Sequence, residues 1–226
     1  MDKTYCYAPD YAVLKNKHGI QDDTALQATE ALLTHRRLRQ PSADPFEMTA
    51  QSYQNLHHHI FQDVYEWAGE YRSTELWKGM SGFEHPHEIV PRMEQVFDEN
   101  AQLLTTSFDN SHEFAREAAK LMHQLNDIHA FREGNGRTQR FFLERLGGQI
   151  GFKIDTFNIN HKLWMEGSIQ SFGQGAKSDH PVMTQCIATA IDLSRSIDID
   201  LVIDRGLDGD DHGRSNDDHD GGRGGR

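Results

Sequence analysis

Twelve consecutive residues, His129-Ala130-Phe131-Arg132-Glu133-Gly134-Asn135-Gly136-Arg137-Thr138-Gln139-Arg140, hold most of the chemistry this chain can offer. Gly134, Asn135 and Gly136 allow tight or left-handed backbone. A helix that starts there presents main-chain N–H groups without intrahelical acceptors, which is how a loop cradles anionic oxygens. Arg137 and Arg140 stand three positions apart, on one face of that helix, and add positive charge. Glu133 is a carboxylate beside an anion site. It would repel phosphate unless a divalent cation lay between them. A histidine at the edge of such a site can act as a general base. The set reads as a Mg²⁺–polyphosphate site flanked by His129. Taken singly, each residue has a plainer explanation in a helix–helix turn. Their concentration in one short segment does not.

Helices must position this segment. Asp22 or Asp23 caps a first helix reaching about Arg39, whose basic last turn suits the dipole. Pro41 and Pro45 break the chain. A second helix is expected over about Thr49 to Trp67, with Leu56, Ile60, Phe61 and Val64 on one stripe and Gly69 at its end. Between Arg72 and Pro86 the pattern is not helical, and Gly79 and Gly82 suggest a small β-hairpin. A third helix runs from about His87 to Leu104. Ser111 caps a fourth, whose stripe is Phe114, Ala118, Leu121, Leu125 and Ile128. The fifth covers about Asn135 to Ile150 and is apolar enough for a central place. Asn160 caps a sixth through Trp164, and Pro181 opens a last one through Leu193. The fold class is therefore all-α with a small hairpin, in one domain over residues 1–205. Residues 206–226 hold seven Gly, six Asp and three Arg and read as a disordered tail.

Composition closes off several classes. The 226 residues carry 23 Lys plus Arg against 35 Asp plus Glu, a net charge of -12, which disfavours a broadly basic nucleic-acid binder. No apolar run approaches the ~18 residues of a membrane span. The N-terminus lacks the apolar core of a secretion signal. Two cysteines, Cys6 and Cys186, make no disulfide framework, and a reducing cytoplasm is the expected compartment. His57, His58 and His59 look metal-like, but successive helix residues point ~100° apart and do not converge on one ion.

The twelve-residue segment resembles the Fic motif, His-Pro-Phe-x-(Asp/Glu)-Gly-Asn-Gly-Arg-x-x-Arg, with Ala130 where the family usually has Pro. The likeness extends to Tyr11–Arg37, to Leu56–Arg72 with its Phe61-Gln62-Asp63-Val64-Tyr65-Glu66-Trp67-Ala68-Gly69, and to Glu75–Ile89, which resembles the family's flap. In all it covers about residues 5–195. The resemblance implies a Fic-type helical domain that transfers AMP from ATP to a Ser, Thr or Tyr hydroxyl of a target protein. It implies His129 as base, Phe131 as buried anchor, and Glu133 as Mg²⁺ ligand. Gly134, Asn135 and Gly136 become the nest for the α- and β-phosphates. Arg137 becomes the contact to the β-phosphate and Arg140 the contact to the γ-phosphate. Leu76, Trp77, Lys78, Gly79 and Phe83 become the flap that registers the target by strand addition. Two alternatives stay open: a Doc-type phosphotransferase, whose loop resembles Ala-Asn-Lys at Gly134-Asn135-Gly136, and a secreted effector acting in a host cell. Many Fic proteins are silenced by a helix of pattern (Ser/Thr)-x-x-x-Glu-(Gly/Asn). Glu99, Glu133 and Glu166 precede Gly or Asn, but Gln95, His129 and Lys162 stand four positions earlier, so none fits. That points to a small antitoxin partner and to the toxin half of a pair.

Overall fold

A computed structural model describes residues 2–42, 44–78, 81–173 and 179–207. Seven helices follow in order: α1 Asp23–Leu38, α2 Ala50–Phe61, α3 Ile89–Asn100, α4 Ser111–Ile128, α5 Asn135–Gln149, α6 His161–Ser171 and α7 Pro181–Leu207. Two short strands, β1 Trp77–Lys78 and β2 Ser81–Gly82, form the hairpin between α2 and α3. They pair antiparallel, Trp77 opposite Gly82 and Lys78 opposite Ser81.

The core is organised around α4. Alanines 115, 118 and 119 on this helix are buried and let neighbours approach closely, while Phe114, Leu121, Met122, Leu125 and Ile128 fill the space between. α7 packs along α4 and α6, α3 and α5 take further faces of α4, and α2 bridges α1 and α5. Helix starts follow their side-chain caps. Asp22 accepts from the Ala25 amide, Thr49 from Ser52, Asn110 from Glu113 and Asn160 from Leu163.

Several boundaries differ from those the sequence suggested. α2 stops at Phe61 rather than Trp67, because the carbonyls beyond it are claimed elsewhere. His18 Nε2 donates to Asp63 O (2.9 Å), the Lys17 amide donates to Val64 O (2.8 Å), and Arg37 holds the Asp63 carboxylate with two bonds of 2.6 Å. The chain then turns through Gly69, whose φ of 88° suits glycine. Asn110, not Ser111, caps α4. α6 continues through Gly167 to Ser171, and α7 runs past Leu193 to Leu207, since no Pro or Gly stands between Pro181 and Gly206. Gly206 and Leu207, which the sequence placed in the tail, belong to α7; residues 208–226 lie outside the described residues.

Candidate active site

α4 ends in an unusual way. Its terminating residue is His129 itself, in left-handed backbone (φ 49°, ψ 59°), with its amide bonded to Leu125 O at 3.1 Å. Glycine is the usual occupant of that conformation. The turn points the imidazole out of the helix line and onto Phe83 at the foot of the hairpin, ring centroids 4.0 Å apart and planes 17° from parallel. Phe83 in turn meets the edge of Phe172 at 5.1 Å.

The loop that follows is closed from below. Asn135 Oδ1 accepts from the Phe131 amide (2.9 Å) and its Nδ2 donates to Phe131 O (2.7 Å), so one side chain bridges both main-chain groups of Phe131. With its side chain so engaged, Asn135 offers the open side of the loop its backbone. Phe131 is fully buried against the rings of His57 (3.8 Å) and Tyr53 (5.5 Å). His57 Nδ1 accepts from the Gly69 amide (2.8 Å), which leaves Nε2–H to donate to Glu133 O (3.0 Å). Burial pushes this imidazole's pKa down to about 3, so it stays neutral. Gly134 has φ 84°, and a Cβ there would stand 2.2 Å from Phe61 Cζ. No other residue fits. At Gly136 the nearest atom to an added Cβ is Arg140 Nη1 at 3.6 Å, an ordinary contact. The protein's own packing leaves room for a methyl there.

The α5 N-terminus opens at Gly134 with no side-chain cap. The amides of Asn135, Gly136 and Arg137 thus lack intrahelical acceptors, as the first turn of any helix does. Glu133 folds one carboxylate oxygen back to the Gly134 amide (2.8 Å) and to Arg137 Nη2 (3.3 Å); the other oxygen has no protein partner among the described residues. Arg137 is gripped from α1. Glu30 takes its Nη2 at 2.5 Å, Thr34 its Nη1 at 3.3 Å, and the guanidinium lies over the Phe61 ring at 4.7 Å. Tyr65 O–H donates to the second oxygen of Glu30. Arg140 is treated differently. It stands over Trp164 at 5.8 Å, with no ion pair among the described residues. Burial and the nearby Arg137 push its pKa down to about 10, which leaves it charged at neutral pH.

His129, Glu133, Gly134, Gly136, Arg137 and Arg140 line one cleft of about 200 Å³, walled by His161, Trp164, Met165 and Ser168 of α6. A second cavity of about 230 Å³ shares the two arginines and is lined by Ala31, Thr34, His35 and Leu38 of α1 with Thr156 and Phe157. Of the flap residues, Leu76 O accepts from the Phe83 amide (3.0 Å), the Trp77 ring covers Gly82 and is 63% exposed, and Lys78 lies in β1. Gly79 lies outside the described residues. Sequence reasoning missed the supports. In the sequence His57 reads as one of a histidine triplet that does not converge on an ion, and nothing local marks Glu30 or Tyr65 as a support. The divergence of the three histidines is as expected: His59 turns away to Arg37 O (2.9 Å) while His57 faces the loop.

Comparison with known proteins agrees with this geometry. Residues 47–146 match the Fic/DOC family. The chain is 37% identical over 168 residues to the probable protein adenylyltransferase y4lH of Sinorhizobium fredii, covering 74% of this chain and 86% of that one. It is 31% identical to the protein adenylyltransferase VbhT of Bartonella schoenbuchensis, covering 73% of this chain and 35% of VbhT. Among solved structures, the N-terminal Fic domain of a VirB-translocated effector from Bartonella quintana, with bound ADP, superposes with TM-score 0.72. The two are 28% identical, over 82% of this chain and 93% of that one. The protein belongs to the Fic/DOC family. Its all-α fold, with the hairpin beside the α4–α5 loop, is that of a Fic domain.

Proposed function

We propose that this protein is a protein adenylyltransferase, moving AMP from ATP to a Ser, Thr or Tyr hydroxyl of another protein. The observation that carries the reading is the single cleft in which His129 stands at one rim, the α5 N-terminus forms the floor and Arg137 and Arg140 close the far side. The triphosphate lies along the floor, with main-chain amides and arginines taking its charge. The target oxygen attacks the α-phosphorus, the bond from that phosphorus to the bridging oxygen breaks, and pyrophosphate leaves. His129 accepts the hydroxyl proton. Most of the rate comes from placement and from charge fixed in advance.

Glu133 fits a metal role: it projects a half-exposed carboxylate toward the phosphate floor, with one oxygen unused by the protein. Among the described residues no cluster of three or more ligating side chains could hold a metal unaided. A Mg²⁺ bound through Glu133 would therefore arrive with the nucleotide, and it would neutralise phosphate charge. The hairpin edge supports strand addition by the target segment, with Phe83 tying that edge to the His129 ring.

Arg140 and the cavity beside α1 support control by a partner. Glu30 occupies Arg137, while Arg140 has no carboxylate among the described residues and opens on the space lined by His35, Leu38 and Phe157. A glutamate on a small partner's helix fits there as a bidentate contact. We read the protein as the toxin half of such a pair, resident in the bacterial cytoplasm. No helix among the described residues is long and apolar enough to cross a membrane.

The purified protein is incubated with native cytosol and ATP labelled at the α- or the γ-phosphate. The reading expects α-label on protein, lost in excess EDTA and in Glu133→Ala. Transfer of the γ-label would assign the Doc-type reaction instead, and label on protein in EDTA would remove the metal. Purification from the native host expects a small protein to accompany the chain. Its absence, with harmless overexpression of the active protein, would remove the toxin–antitoxin reading.

A further inference from the structure

Arg72 is the most heavily hydrogen-bonded charged side chain of the site region, yet it touches neither the cleft nor a carboxylate. It is 2% exposed. Its guanidinium donates to four main-chain carbonyls: Nε to His129 O (2.8 Å), Nη1 to Thr74 O (2.8 Å), and Nη2 to Glu84 O (2.5 Å) and Ile128 O (3.1 Å). Its own amide donates to Ala130 O (2.9 Å). One residue thus takes three successive carbonyls, 128, 129 and 130, at the end of α4. Those carbonyls have no intrahelical donors and carry the negative end of the helix dipole, so a buried cation is matched to them. The same fork holds Thr74 and Glu84, the two feet of the hairpin. Glu84 is tied a second time, through its amide to Asp127 O (3.3 Å).

We propose that Arg72 is a positioning residue for the transfer step: it fixes the distance between the hairpin edge that receives the target and the left-handed turn that aims His129. The inference rests on the adenylyltransferase reading and deepens it. ATP is held by residues 133–140, none of which bonds to Arg72, so nucleotide binding is independent of it. Lysine keeps the charge but concentrates its donors at one point and cannot span four carbonyls in a fork. A guanidinium is the group whose planar donors reach both the helix end and both feet.

The test compares the parent with Arg72→Lys after circular dichroism establishes that both fold. Expected for the variant are an unchanged affinity for ATP and a fall in kcat/KM for the target protein of about 10²-fold, the scale of a small misplacement of reacting groups. A merely weakened fold would instead lower the active fraction, reducing kcat while leaving both KM values in place. Equal loss of ATP affinity, or transfer at the parent rate, overturns the proposal. If the parent itself transfers no AMP, the functional reading fails, and amide exchange then judges Arg72 alone. In the variant the Arg72, Glu84 and His129 amides should exchange faster while those of α5 do not; no change at those amides overturns the proposal. Should the lysine variant not fold, the parent supplies the answer. The same three amides exchange in one cooperative step if a single fork holds them, and separately if it does not.

Discussion

The loop between α4 and α5 is closed from beneath by side chains of other elements, whereas the hairpin beside it has two ladder pairs and a largely exposed Trp77. In the loop, Asn135 ties down Phe131, His57 holds Glu133 O, and Phe61 fills the space against Gly134. In the hairpin, the two ladder pairs are followed by one more backbone bond, from the Phe83 amide to Leu76 O, and the Phe83 ring is its link to the imidazole. On the proposed function, the geometry of bond making is preset by the loop, and the receiving edge is left to be completed by a strand from outside. Damage to the loop should therefore appear in the rate of the chemical step or in the fold itself. Damage to the hairpin should appear in the recognition of the target.

The largest effect is expected at His129→Ala. AMP transfer should fall by about 10²–10⁴, with the circular dichroism of the parent, because this residue ends α4 and fills none of its buried stripe. Transfer at the parent rate would show that the base lies elsewhere. Next is Gly134→Ala, which strikes the floor of the loop. A left-handed alanine and the contact with Phe61 together cost about 2–5 kcal/mol, and the melting temperature should drop accordingly. An unchanged melt would mean that the floor yields.

His57→Gln probes the same floor through pH. The buried imidazole refuses a proton until about pH 3, while in the unfolded chain it accepts one near its ordinary value. Its contribution to stability is thus present at neutral pH and lost as pH falls from about 6.5 toward 3. Asp127 acts with the opposite sign, because burial raises its pKa to about 6 and its contribution is lost as pH rises from about 4 to 6. Relative to the parent, His57→Gln should lose stability less steeply between pH 6.5 and 4, by up to about 1.4 kcal/mol per pH unit. Urea midpoints across that range measure it; parallel curves would place the proton uptake elsewhere. The smallest effect belongs to the hairpin. Trp77→Ala should raise KM for the target by less than about fivefold, the scale of one cross-strand pair, and leave ATP affinity alone. A fall in kcat with KM unchanged would erase the contrast between the two regions.

How much of this could be read from the sequence divides along the same line. The motif residues are contiguous, so their types and spacing point to a shared site, and the structure brings most of them to one cleft. The helices were legible from their stripes, and the starts of α1 and α6 from their Asp22 and Asn160 caps, while the cap of α4 is Asn110 rather than the Ser111 beside it. The supports were not legible, because each is brought in from far along the chain: His57 meets Glu133, Glu30 meets Arg137, and Arg72 meets the end of α4. A histidine triplet on a helix, a glutamate in an amphipathic stretch and an arginine after a Gly turn have no local mark of such duty. Asn135 opens α5, as the pattern suggests, but its side chain faces inward, a choice settled by the buried main chain of Phe131 rather than by spacing. The end of α2 was misplaced for a similar reason, since Lys17 and His18 take carbonyls that a longer helix would have used.

The left-handed turn at His129 has a consequence for protein engineering. Within helices alanine outranks glycine, and inert versions of an enzyme are commonly made by alanine replacement. At this position the ranking inverts. The backbone conformation is free for glycine and costs a side chain about 1–2 kcal/mol, more than the entropy glycine gives up. Of two variants that lack the imidazole, His129→Gly should melt higher than His129→Ala, by a margin of about 0.5–1 kcal/mol. Both lose the stack on Phe83 equally, so the difference isolates the backbone. It would express in stability units the tension under which this chain carries an imidazole where a helix is best closed with nothing at all.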